Sequence, residues 1–446
     1  MIDTRELAEL MGPLELLQQE LAALADALQR PARPAIRLNP LGRRLDPREL
    51  PFGLEAVPWW PQHGFWVVGD ARPAGTIGYA AGAHYPQDAG SLLAVALLDP
   101  RPGQVICDLC ASPGGKATAI IEVLGPAGAL LANEPVRSRL PPLRLNMARQ
   151  GVTRWVGTSV DPARLCELTP GRFDAVLVDA PCSGQAIVAR GKQTRRAFDP
   201  ALVRHSAARQ RRILDAAVEL VGPGGSLVYS TCTFSWIENE QQVIDLCSQR
   251  REMVPHPCER LADWRSPSPA PPGCYRLYPH RDGCGGAFAA RLTRREAAAT
   301  TIRRRPSARR RREPTGPSRA EADPWGRWVG SVVRSVRGSV ECAWPADMPD
   351  WLIELGAFGP EASFRKGRTW FPAYALAMRR DGSFEPSQTV DLSDSDASAF
   401  LLGHSVPGER HGWTVVCHRG LPLGWAKGNG RVLANHLPHA ARQPVN

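Results

Sequence analysis

Five short apolar runs, spaced by stretches rich in glycine, proline and acidic residues, constrain this chain more than any other feature. They are Gln104-Val105-Ile106-Cys107-Asp108-Leu109, Ala129-Leu130-Leu131-Ala132-Asn133, Trp155 to Thr158, Phe173 to Val178 and Ser226 to Tyr229. Runs of this kind read as strands buried on both faces of a parallel sheet. Helical stretches between them, about Ala117 to Leu124 and residues 200–221, make a βαβ series. In an open α/β sheet, ligands bind at the carboxyl ends of the strands. Chemistry is therefore expected where these runs end.

The first strand runs into Cys110-Ala111-Ser112-Pro113-Gly114-Gly115-Lys116. A Gly-rich turn between strand and helix lets the backbone approach a ligand and aims N–H groups at it. It has neither the Gly-x-x-x-x-Gly-Lys-Ser/Thr nor the Gly-x-Gly-x-x-Gly spacing. The second strand ends in Glu134, and an acid there commonly binds ribose hydroxyls in dinucleotide folds. Loop and acid together point to an adenosine-containing cofactor. The third strand leads to Asp161. The fourth opens Asp179-Ala180-Pro181-Cys182-Ser183-Gly184, and the fifth ends in Ser230-Thr231-Cys232-Thr233. A single strand-end cysteine reads as buried and inert. Two of them at one sheet edge, beside an Asp and a Gly-rich loop, favour nucleophilic chemistry. Ahead of the first strand, His84-Tyr85-Pro86-Gln87-Asp88-Ala89 leads into an apolar helix through Leu98, placed to pack across the site entrance.

The flanks say less. The 446 residues carry a formal net charge of +11, which makes a polyanion, and nucleic acid first, the expected partner. With 11 cysteines and no signal-peptide pattern, reduced thiols and a cytoplasmic location are expected. No apolar run approaches the ~20 residues of a membrane span. Cys107-x-x-Cys110 has half a zinc spacing but no matching second pair, so no metal is expected. Leu7 through Leu28 predict one helix over residues 5–30, stopped by Pro31 and Pro34. Trp59, Trp60, Phe65 and Trp66 form either a small core or an RNA-facing stacking platform; periodicity does not decide. The helix at 200–221 has a basic side, Arg204, Arg209, Arg211 and Arg212, which is either a solvated face or an RNA contact. Residues 274–292 read as a closing antiparallel hairpin. Arg303-Arg304-Arg305 and Arg309 through Arg312, among prolines, mark a basic linker. The expected division is 1–80, a catalytic domain at 81–295, the linker at 296–322 and a smaller domain at 323–446.

These motifs in this order resemble the bacterial RNA cytosine-C5 methyltransferases of the NOL/NOP/Sun class. The likeness rests on Cys110–Lys116, Asn133-Glu134, Asp161, the Asp179–Gly184 and Ser230–Thr233 tetrads, and Glu238-Asn239-Glu240. Val57-Pro58-Trp59-Trp60 and Pro422-Leu423-Gly424-Trp425-Ala426-Lys427 are similar to the small-subunit ribosomal methyltransferase F type within that class. The resemblance implies an α/β, Rossmann-like class I S-adenosylmethionine-dependent methyltransferase with a seven-stranded, mostly parallel sheet. It further implies a small N-terminal domain, a C-terminal PUA-like α+β domain, and RNA as partner, either small-subunit rRNA, free or assembled, or tRNA. By that likeness Cys232 is the nucleophile, Cys182 assists product release, Asp179 holds the base edge and Lys116 reaches the base. Cys110, Ala111, Ser112, Pro113, Gly114, Gly115 and Lys116 would then hold the cofactor, with Glu134 on the ribose, Asp161 near the adenine and Asp179 closing the site. The pattern departs from the class at Gln185-Ala186, where Glu-Gly is usual, at Ser112 for Ala, and at Pro141-Pro142 within an expected helix. Gln185 thereby puts one substrate contact in question. A non-catalytic RNA-binding assembly factor is the alternative of another class.

Overall fold

The computed structural model describes residues 2–14, 16–42, 46–191, 193–296 and 324–445, so the arginine-rich linker lies outside the described residues. Two helices open the chain, α1 (Thr4–Met11) and α2 (Gln18–Ala27), where the leucine spacing predicts one. Gly12 takes φ +59° and Pro13 follows it, and neither conformation extends a helix.

A small antiparallel sheet follows, of β1 (Ala35–Leu38), β2 (Gly53–Ala56), β3 (Gly64–Val68) and β4 (His84–Pro86), in the order β2-β3-β1-β4. Trp59, Trp60 and Trp66 are buried in one hydrophobic cluster with Leu92 and Leu93, so the core reading of these aromatics holds and the stacking-platform reading falls. After the short helix α3 (Ile77–Ala80) comes the apolar helix α4 (Ala89–Leu98). Asp88 caps it by accepting from Gly90 N at 2.8 Å.

The central sheet contains β5 (Val105–Asp108), β6 (Ala129–Asn133), β7 (Trp155–Thr158), β8 (Phe173–Asp179), β9 (Val221–Thr231), β10 (Met253–Pro255), β11 (Cys274–Leu277) and β12 (Ala287–Arg294). Seven strands run in the order β10-β12-β9-β8-β5-β6-β7, and β11 adds an eighth against β12. The path from β7 to β9 is parallel, while β10, β11 and β12 are antiparallel to their neighbours. Helices α5 (Gly115–Leu124), α6 (Leu140–Arg149), α7 (Pro162–Leu168), α8 (Pro200–Leu220) and α9 (Glu240–Gln249) complete the crossovers. Asp161-Pro162 and Asp199-Pro200 start α7 and α8 by the same device: the Asp accepts a backbone N–H and Pro occupies the first turn. Pro141-Pro142 acts likewise, since α6 begins there and is not broken by it.

Side chains alternate across the sheet. Ile106, Leu130, Leu177 and Val228 face the cluster that holds α4 and α5. Cys107, Leu131, Val176 and Leu227 face the one that holds α8 and α9. Strand order reverses beside β5, with β6 on one side and β8 on the other. The carboxyl ends of β5 and β8 therefore flank the crevice where α/β sheets bind ligands.

The C-terminal residues form three small sheets, of two, four and five strands. They cover the edge strand β7. Gly157 N donates to Phe358 O and Ala357 N to Gly157 O, both at 2.8 Å, and Trp344 Nε1 donates to Trp155 O at 2.8 Å. A Cβ at Gly157 would lie 2.0 Å from the Phe358 ring, so this docking requires glycine. An otherwise open sheet edge is thereby protected. Among the described residues, no helix is long and apolar enough to cross a membrane.

Candidate active site

The two cysteines meet because of strand register. β8 and β9 are parallel neighbours with Asp179 opposite Ser230, and Ala180 N donates to Ser230 O at 2.9 Å. Cys182 and Cys232 leave their strands a few residues later, and their sulfurs come to 3.3 Å. Lys116, from the first turn of α5, donates to Asp179 Oδ2 at 2.7 Å, and Ser230 Oγ donates to Asp179 Oδ1 at 2.9 Å. All five residues line one cleft of about 460 Å³, with Gln87 and Phe288 on its walls.

The thiols are not equivalent. Cys182 is pushed well up, first by its hydrogen bond to Cys232 and then by burial. Cys232 is lowered, first by the hydrogen bond from Cys182; burial and Asp179 oppose this, and Lys116 assists it. Burial acts against the charge on Lys116, but the adjacent Asp179 carboxylate outweighs it and raises Lys116 overall. Asp108, at the end of β5, is pushed up to about 7 by burial and by the nearby Asp179, and its Oδ2 has no hydrogen-bond partner.

Beneath the thiols lies a closed polar network. Glu238 accepts from Ser183 N at 3.0 Å, from Gln210 Nε2 at 2.9 Å and from the Ser183 hydroxyl. Gln185 is fully buried. It donates to Ser183 Oγ at 2.8 Å and Ala197 O at 2.6 Å, and accepts from Phe234 N at 3.1 Å and from the Thr233 hydroxyl. Its hydrogen-bonding capacity is thus spent on protein groups. Gln185 is no substrate contact; it fastens the Cys182 loop to the Cys232 loop.

A second cavity of about 340 Å³ opens at the ends of β6 and β7, lined by Cys110, Glu134, Arg139, Asp161, Arg209 and Arg212. Glu134 Oε1 accepts from Val136 N at 2.9 Å, while the buried Oε2 accepts no hydrogen bond and has Arg139 Nη1 at 3.5 Å. Arg139 also donates to Ser112 O at 2.6 Å and lines both cavities. Nothing about Arg139 in the sequence singles it out beyond its place after a strand-end acid. Asp161 is exposed and caps α7 through Ala163 N at 2.9 Å. Ala111, Ser112, Pro113, Gly115 and Lys116 line the first cleft. Gly114 instead makes the turn, with φ +109°, and a Cβ there would press on Leu143 at 3.3 Å. Of the basic side of α8, Arg209 and Arg212 border the second cavity, an outcome neither sequence reading anticipates. Cys110 is buried, which pushes its thiol up.

Residues 95–293 match the family model of the 16S rRNA methyltransferase RsmB/F, residues 12–89 that of the N-terminal domain of 16S rRNA methyltransferase RsmF, and residues 387–443 that of the methyltransferase RsmF PUA domain. The chain is 31% identical over 440 residues to the ribosomal RNA small subunit methyltransferase F of Klebsiella pneumoniae, covering 92% of this chain and 91% of that one. It belongs to this methyltransferase F family. The corresponding protein of Erwinia tasmaniensis is 30% identical, with 94% of each chain covered. Among solved structures, a methyltransferase homolog from Pyrococcus horikoshii is 25% identical, with a TM-score of 0.53 over 66% of this chain and 100% of that one. NSun6 from the same organism, solved with SFG, shares the fold at a TM-score of 0.56 and 20% identity, over 66% of this chain and 98% of that one. The family fold is thus a class I S-adenosylmethionine-dependent methyltransferase with a C-terminal PUA-like domain.

Proposed function

We propose that this chain transfers a methyl group from S-adenosylmethionine to C5 of a cytosine in small-subunit ribosomal RNA, through a covalent bond from Cys232 to C6. The observation that carries the reading is the meeting of Cys232 and Cys182, sulfurs 3.3 Å apart, on the same cleft as the Lys116–Asp179 pair, an arrangement that lowers the Cys232 thiol and raises that of Cys182. The names of the relatives supply the rRNA substrate.

Cytosine C5 is a poor nucleophile. A thiolate that adds at C6 forms a C–S bond, breaks the aromaticity and makes C5 enamine-like. C5 then takes the methyl group as the S–CH3 bond of the sulfonium breaks and a neutral thioether leaves, the C5 proton passes to solvent, and breaking of the C6–S bond with loss of the N3 proton returns the Cys232 thiolate and restores the ring. In this scheme the adduct takes up a proton at N3, Asp179 accepts from that N3–H and from the exocyclic amine and so favours the protonated adduct, and Lys116 reaches the base. Cys182 assists product release from beside the C–S bond. The cofactor supplies the electrophilic methyl of its sulfonium. The residues fit it: the buried Oε2 of Glu134 accepts no hydrogen bond and would take the ribose hydroxyls, Asp161 on the same cavity would hold the adenine, and residues 110–116 with Asp179 would hold the remainder.

Residues 81–295 carry this chemistry. Residues 1–80 and 323–446, joined by 296–322, hold the RNA. Their binding offsets the few kcal/mol needed to flip a stacked base into the cleft.

Bisulfite sequencing of total RNA, with and without the gene, tests the proposal. Loss of one 5-methylcytosine from small-subunit rRNA is expected. Loss from a tRNA would keep the chemistry and move the substrate. No change at any cytosine would overturn the reading in favour of an RNA-binding assembly factor. A covalent RNA adduct formed by Cys232→Ser but lost in Cys182→Ser would reverse the roles of the two thiols.

A further inference from the structure

The C-terminal residues carry a patch of rings and cations that lies outside the cleft and is open to solvent, anchored on a hydrophobic core only through Trp413. A hairpin of strands Glu361–Lys366 and Thr369–Pro372 brings Phe364 and Phe371 together, stacked at 5.7 Å with 17° between their planes. Phe371 meets Trp413, on the strand His411–His418, edge to face at 6.1 Å. His436 lies 4.5 Å from the Trp413 ring. Lys366 Nζ stands 5.5 Å from the Phe364 ring and 5.9 Å from that of Phe371, and Lys427 Nζ stands 5.7 Å from Trp413.

Two properties separate this patch from core aromatics. Trp344 and Trp425 are 0% and 2% exposed, whereas Phe364, Phe371 and Trp413 are half-buried and Lys366, Lys427 and His436 are exposed. The cations are also uncompensated. Arg144, Arg154, Arg327 and Arg334 pair with carboxylates, but among the described residues no ion pair is formed by Arg365, Lys366, Arg368 or Lys427. Burial first, then Lys427 and Lys366, hold His436 below its ordinary range, so both ammonium groups act on one small surface.

We propose that this patch is a stacking platform for an unpaired stretch of the RNA substrate, with bases on Phe371 and Trp413 and phosphates on Lys366 and Lys427. The proposal rests on RNA being the substrate. It extends the RNA surface beyond residues 387–443, which match the PUA model, onto the hairpin at 361–372. An unpaired strand offers flat π faces and regularly spaced negative charge together. A duplex hides its base faces, and an acidic peptide supplies the charge without the rings. The lysines gain twice, from phosphate and from the rings they already overlie.

The test is equilibrium binding of the full chain to a fluorescent oligoadenylate of twelve nucleotides, at several salt concentrations. This probe has no cytosine, so failure of the methylation reading leaves the measurement untouched. Phe371→Ala and Trp413→Ala are each expected to weaken binding about tenfold. Trp413 also packs at 6.2 Å on buried Trp425, so its removal risks the fold. Lys366→Gln with Lys427→Gln, both at exposed positions, avoids that risk. This pair is expected to lower the slope of log K against log salt by about 1.4, from ~0.7 per single-strand phosphate. Binding curves and slope that superpose on those of the native protein would overturn the proposal. So would equal sensitivity to these substitutions when the probe is annealed into a duplex, or displacement by polyglutamate at matched charge.

Discussion

Replacing Cys182 by alanine tests the division of labour between the two thiols. Cys182 Sγ lies 3.3 Å from Cys232 Sγ, and its hydrogen bond is the first cause of the lowered Cys232 thiol. A hydrogen bond to a charged group contributes ~1.5–3 kcal/mol, and a thiol is a weak donor, so about 1.5 kcal/mol applies here. At ~1.36 kcal/mol per factor of ten, Cys182→Ala slows alkylation of Cys232 about tenfold at a pH where the thiol is mostly protonated, because its pKa rises. What remains is burial and Asp179 pushing the thiol up against Lys116 pushing it down. The assay is the rate of carbamidomethylation of Cys232 by iodoacetamide between pH 6 and 10, read by peptide mass spectrometry. The buried Cys110, whose thiol burial raises, serves as the unreactive reference within the same chain. Cys182→Ser, with a hydroxyl donor, retains most of the native profile. An alkylation midpoint in Cys182→Ala equal to or below that of the native protein would refute the reasoning, because the thiol beside Cys232 would then not be its donor.

Three further outcomes follow from the same geometry. Lys116→Met removes the cation that assists the Cys232 thiolate and pairs with Asp179 at 2.7 Å; methyl transfer in single-turnover assays falls about a hundredfold or more, and an undiminished rate counts against a role for Lys116 at the base. Arg37 is fully buried, and its five N–H groups meet Glu122, Gln87 Oε1, Gly115 O and Thr118 Oγ1. Arg37→Met strands the Glu122 charge and costs about 3–5 kcal/mol of stability in urea titration; a change under 1 kcal/mol would contradict the buried pair. Asp108, raised from 3.8 to about 7, holds a proton in the folded chain that the unfolded chain releases. Stability from this group is therefore full below pH 3.8 and lost as pH rises through about 7. In Asp108→Asn the fall in Tm between pH 5 and 8 shrinks, and parallel Tm curves for the two proteins would exclude a raised Asp108.

Legibility in the sequence tracked how local the cause of each feature is. The runs at 129–133 and 155–158 coincide with β6 and β7, because a strand buried on both faces needs an unbroken apolar run and advertises it. β9 begins at Val221 rather than Ser226, since Gly222-Pro223-Gly224-Gly225 reads as a turn yet lies within a strand paired to β8. The tryptophans at 59, 60 and 66 and the half-buried Trp413 are the same residue type; only tertiary packing decides that the first three are fully in the core. Gln185, two residues from Ser183, stands out in the sequence only as a departure from the class pattern at a substrate contact. Its partners Thr233, Phe234 and Ala197 come from other segments, so no local pattern reveals that it faces inward. Arg139 escaped notice for the same reason.

The polar network under the cysteines shows why such residues belong to the site without touching a substrate. A carboxylate this close to two thiols is electrostatically costly: Glu238 opposes ionisation of both Cys182 and Cys232. Burial raises its own pKa, and the donors from Ser183, Gln210 and Thr233 work in the opposite direction. What Glu238 supplies is connection, since it binds the loop after β8 through Ser183 and α8 through Gln210 while standing just beyond the end of β9. Strand register brings the two tetrads side by side, but register alone leaves two loops free to drift. Glu238 and Gln185 fix them, and Lys116 on the same cleft supplies positive charge that counters the cost at Cys232. Lys116 therefore acts on the acidity of Cys232 through its charge, while Glu238 acts on it both through its charge and by holding Cys182 within hydrogen-bond reach, so a substitution at Lys116 alters the charge of the pair and one at Glu238 alters charge and geometry together.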